Sequence, residues 1–74
     1  MAQNPYSKGS AQWSAFNELV DGFDKKSSEA LHFELTEERH MSNQWQGKNE
    51  DELLQHRDNV HAIEVILLSR GEKI

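Results

Sequence analysis

Apolar residues recur along most of this chain at intervals of three and four, the spacing that lines up one face of an α-helix. The densest run is Asn49 to Gly71, where His56, Val60, Ile63 and Leu67 fall on one face with Leu53 a turn earlier. Both ends of the run carry helix-boundary residues. Asn49 can accept from the first-turn backbone with Glu52 three residues on, as in a capping box, and Glu50 and Asp51 add negative charge at the positive end of the helix dipole. Arg70 and Gly71 close the far end, glycine being the residue that best tolerates a left-handed turn after a helix. Leu54, Val65, Ile66 and Leu68 lie off the stripe, so the second half of this helix is apolar around most of its circumference and needs cover on more than one side.

Two further segments read the same way. Ser10 can cap a first helix in which Trp13, Phe16, Leu19 or Val20, and Phe23 recur on one side, opposite Ser14, Asn17, Glu18 and Asp21. A second helix runs from a cap at Ser27 or Ser28 towards Gly47; Leu31, Leu35, Met41 and Trp45, with Ala30, share a broad face that also holds Glu34 and Glu38, and Phe33 points away from it. The pattern predicts an all-α fold, a small three-helix domain with helices at Ser10 to Phe23, Ser28 to Gln46 and Asn49 to Arg70. Short turns at Asp24-Lys25-Lys26 and Gly47-Lys48 make neighbours antiparallel. The competing reading is α+β, with short strands at 30–36, where Leu31, Phe33 and Leu35 alternate with polar residues, and at 60–69, where Ile63, Val65 and Ile66 are β-branched. Matched caps on the third segment, and a second segment rich in Glu, Ala, Leu and Arg, favour helix in both places.

At 74 residues the chain makes one domain. Met1 to Gly9 is polar and holds the only proline, with turn-forming Asn4-Pro5 and Lys8-Gly9, and reads as a flexible arm; residues 10–74 form the single helical domain. Eight Lys and Arg stand against thirteen Asp and Glu, a formal charge of -5 that argues against binding DNA, RNA or anionic membrane, where a basic face supplies most of the attraction. No cysteine is present, which removes disulfides and thiolate metal sites, and no run is apolar enough to span a membrane. The N-terminus lacks a signal-peptide pattern. A cytoplasmic protein is expected.

The opening Asn4-Pro5-Tyr6, followed by Gly9-Ser10 and then Trp13, Ala15 and Phe16, resembles the NPYxxGSxxxxAW start of the small ribosome-modulation-factor-like proteins of bacteria and their phages. That resemblance implies a ribosome- or nucleic-acid-associated regulator and a bacterial or phage accessory protein.

Chemistry is sparse. His32, His40, His56 and His61 include no pair at the spacing that puts two ligands on one helical turn. Glu37 and His40 form one i, i+3 carboxylate-histidine pair, the unit that di-metal bundles use in twos with further Glu such as Glu34 or Glu38, but it occurs once per chain. No metal, cofactor or catalytic residue is expected, since nucleophile motifs and phosphate-cradling glycine loops are also missing. What remains is binding. Trp13, Phe16, Phe33, Trp45, Val65 and Ile66 are the candidate contacts for another protein, such as a host factor that a phage-borne module would modulate or inhibit, or for a second copy in a homodimer. A structural subunit assembling as a homo-oligomer is the alternative. Glu34, Glu37 and Glu38, with Glu50 and Asp51, form a candidate acidic face that could imitate a phosphate backbone, although carboxylates in a first helical turn or on a helix surface commonly serve as caps and solvated groups.

Overall fold

Ser10 sits in extended conformation with its Oγ accepting from the Trp13 amide, and the chain turns there into α1, Ala11–Asp24, the first of three helices among the described residues. α2 is Ser28–Trp45 and α3 is Glu50–Ser69. The computed structural model describes residues 4–45 and 47–73, without the side chain of Trp45. Both segments with a competing strand reading, 30–36 and 60–69, are helical.

The end residues do what their chemistry allows. Ser27 caps α2, its Oγ accepting from the Ala30 amide at 3.2 Å. Asn49 caps α3 by accepting from the amides of Asp51 and Glu52 at 3.0 and 3.2 Å. The Glu52 carboxylate, expected to reach back to Asn49, instead lies 3.6 Å from His56 Nε2. At the other end Gly71 takes φ +80°, and its amide and that of Glu72 return to the carbonyls of Leu68 and Leu67, a Schellman closure.

α3 lies between the other two helices. Phe16 and Val20 from α1, Leu31 and Leu35 from α2, and Ala62, Ile63, Ile66 and Leu67 from α3 make one buried core, with Leu31, Ile63 and Leu67 fully enclosed. α2 and α3 are antiparallel, since Ser28 meets Arg70, Arg39 meets Glu64 and Glu38 meets His56. α1 packs on the other flank of α3 and barely touches α2 despite their short connection. Arg70 holds that connection down, donating to the Asp24 carbonyl at 2.8 Å and to Ser28 Oγ at 3.1 Å. The molecule is consequently flat, 34 × 30 × 16 Å across its Cα atoms.

Two expectations change. The apolar second half of α3 is sheltered by its own chain further than its composition suggests, because neighbours on two flanks bury Ala62, Ile63, Ile66 and Leu67 and leave Leu68 outside. The stretch read as a flexible arm is laid down from Asn4 onward. Asn4 Nδ2 donates to the Trp13 carbonyl at 2.9 Å and to Asn17 Oδ1 at 3.0 Å, Asn4 Oδ1 accepts from the Tyr6 amide, and the Tyr6 ring meets Phe16 edge-on at 6.1 Å. An asparagine and a tyrosine placed to bond across two helices make a brace out of a segment whose composition is that of a turn.

Candidate docking faces

The proposed contact residues separate by burial. Phe16 is 2% exposed and Ile66 equally so; both belong to the core, because each occupies the side of its helix that faces a neighbour, and neither is open to a partner. Trp13 and Val65 are half-buried. Phe33 alone among the proposed residues with a described side chain stands clear, 66% exposed on the outer side of α2. The side chain of Trp45 lies outside the described residues.

Around Phe33 the helix presents Glu29 and Glu37, one turn before and one turn after, both exposed. A shallow cleft beside the ring is formed by Ser27, Glu29, Ala30 and Glu34, and Lys26 pairs with the Glu34 carboxylate at its edge. The surface is therefore an aromatic ring between two carboxylates, neither of which has an ion-pair partner among the described residues.

The acidic residues do not gather into one sheet of negative charge. Glu34 is taken by Lys26, and Glu38 turns inward, accepting from Asn59 Nδ2 at 3.3 Å with its Oε2 2.6 Å from His56 Nδ1. Glu50 and Asp51 open α3 beside the far end of α2, at least two turns or about 10 Å further along. His56 is thus the bonded boundary residue that its place on the apolar stripe suggests, held between Glu38 and Glu52. Among the described residues no three His, Asp or Glu side chains converge as metal ligands, and no helix is long and apolar enough to cross a membrane.

A second surface emerges that the periodicity alone does not single out. An open groove of about 460 Å³ runs along the outer side of α3, floored by Leu54, Asp58 and His61 and walled by Pro5 and Tyr6 on one side and Arg39 and Ser42 on the other. Tyr6 donates its phenolic proton to Asp58 Oδ1 at 2.6 Å, and this bond to a carboxylate, reinforced by desolvation, raises the Tyr6 pKa above its ordinary value. Arg39 reaches across to Glu64 at 2.8 Å. Leu54 is 51% exposed on the groove floor, and the Phe16 and His61 rings stack at a tilt 5.5 Å apart behind it. A groove this open would leave much of a small molecule's surface in water, whereas small-molecule sites are mostly enclosed. The clue in the sequence was Leu54, an apolar residue off the core stripe.

Comparison of the chain with protein-family models, with curated proteins and with solved structures returns no match in any of the three. The likeness of the NPYxxGS opening to ribosome-modulation-factor-like proteins accordingly rests on those residues alone.

Proposed function

We propose that the protein is a small acidic binding module that docks on another protein through the outer face of α2. A single exposed apolar residue is ordinary on a protein surface. Phe33 differs in being a full aromatic ring, 66% exposed, with a cleft at its side and, along the same face, the carboxylates of Glu29 and Glu37, which have no ion-pair partner among the described residues. That observation carries the reading. Burying such a ring in a partner's pocket is worth about 1.5–3 kcal/mol, and aromatic anchors of this kind dominate most interfaces.

The partner this face fits has an apolar pocket rimmed by Lys or Arg, because the flanking carboxylates steer towards positive charge and repel an acidic surface. A bacterial or phage accessory protein of this form would act in the cytoplasm by occupying a site on a host factor, altering that factor's activity by occupancy and without chemistry of its own. The test uses the full chain as immobilised bait beside a Phe33→Ala variant, whose fold circular dichroism should show unchanged. A partner held by the wild type should lose about 2 kcal/mol or more of affinity to the variant, and Glu37→Lys should weaken it most at low salt. Equal retention of every bound protein by both baits refutes the reading.

A further inference from the structure

The outer face of α3 has a pattern of its own. Leu54, Asp58, His61, Val65 and Leu68 follow one another at steps of four, three, four and three, the seam of a coiled coil. His56 and Ile63, on the opposite side of the helix, face inward. Leu54 and Leu68 are 51% and 59% exposed, and the three between them are half-buried, Asp58 at the Tyr6 hydroxyl and His61 beside the Phe16 ring, with α1 and α2 on the two flanks.

We propose that this face is the interface for a second copy of the chain, whose own α3 packs against it antiparallel about a two-fold axis. The charges carry the assignment. In antiparallel register Leu54 meets Val65 of the second copy and Asp58 meets its His61, and the symmetry repeats both contacts. Arg57, which has no carboxylate partner among the described residues, then lies along the flank opposite Glu64 of the second copy, again twice. Glu64 uses one oxygen on Arg39, and Asp58 uses Oδ1 on Tyr6, so each carboxylate keeps a second oxygen for the contact.

The alternatives meet like charges. A slide by one heptad in one direction sets Glu64 against Glu64 of the other copy, and in the other direction Arg57 against Arg57. A parallel pairing stacks Asp58 on Asp58. From Leu54 to Val65 one arrangement of this face on itself is complementary and its neighbours are repulsive, with Leu68 at the rim level with Asp51 of the second copy; polar seam positions fix register and direction in this way. The flat shape agrees, because face-to-face pairing gives the two packed layers on which most domains are built.

The experiment is the solution mass of the full chain, followed by a register test. Sedimentation equilibrium at micromolar and higher concentrations should give twice the 8.6 kDa chain mass, and Leu54→Asp should halve it with helicity unchanged, since Leu54 supports no core contact. The chain has no cysteine, so introduced thiols report geometry cleanly. A Leu54→Cys, Val65→Cys double variant should form a disulfide-linked dimer under mild oxidation, whereas Leu54→Cys alone should not, the two copies of that position lying well apart across the axis. A monomeric wild type, a dimer indifferent to Leu54→Asp, or ready cross-linking by Leu54→Cys alone overturns the proposal. None of these results bears on Phe33, which lies on another helix face.

Discussion

Tyr6 links the first turn of the chain to the middle of the last helix. Its ring leans on Phe16 while its hydroxyl donates to Asp58, so one side chain contributes both apolar burial and a charge-assisted hydrogen bond across 52 positions of sequence. Tyr6→Phe keeps the ring and removes the bond, and it should cost about 1–2 kcal/mol in urea unfolding. The pH dependence has a definite sign. The Tyr6 pKa is raised in the folded protein above its unfolded value of about 10, so the brace contributes fully below that pH and is lost as pH rises through the folded value. Wild-type stability should therefore fall towards that of Tyr6→Phe on the alkaline side, and the two unfolding curves should converge there. Parallel curves at every pH would mean that the Asp58 contact carries no stability. Neither Asn4 nor Tyr6 could be read as a brace from the sequence, where Asn-Pro and Lys-Gly signal turns and nothing local marks a partner as distant as Asp58. A turn-rich composition describes backbone shape and is silent on where side chains reach.

Helix boundaries, by contrast, were legible because they depend on residues within a few positions of one another. The caps at Ser10 and Asn49 and the closure at Gly71 stand where Ser, Asn and Gly chemistry puts them. Two glycines make opposite predictions from this logic. Gly22 lies inside α1 with ordinary helical φ and nothing within 4 Å of an added Cβ, so Gly22→Ala should raise stability by about 0.5–1 kcal/mol. Gly71 has equally open surroundings but a φ of +80°, which a Cβ opposes, so Gly71→Ala should lower stability by about 1 kcal/mol. Thermal melts of the two variants, moving in opposite directions from wild type, check both at once. Burial was legible only in part. The three-and-four spacing identifies Phe16, Leu31, Leu35, Ile63 and Leu67 as inward, yet it left Ile66 on the open side, because the width of a helix's covered arc depends on how many neighbours flank it and not on its own period.

At the scale of the molecule, the position of α3 between two helices that scarcely meet makes stability unequal along the chain. Opening α1 away from α3 exposes Phe16 and Val20 but leaves the α2–α3 pair with Leu31, Leu35, Ile63 and Leu67 still in contact, whereas displacing α3 itself exposes the whole core. Amide hydrogen exchange should therefore be slowest from Ala62 to Leu67 and around Leu31 to Leu35, and faster in α1. Substitutions extend the argument. Leu67→Ala, at a fully enclosed site, should cost about 2–5 kcal/mol and accelerate exchange in all three helices together, because α3 is common to every contact. Val20→Ala should cost less and act mainly on α1 and on the Tyr6 brace that spans it, leaving the α2–α3 amides near their wild-type rates. Uniform acceleration by Val20→Ala would show that α1 is integral to a single cooperative unit, and the hub arrangement would then be one of geometry without a matching hierarchy of free energy.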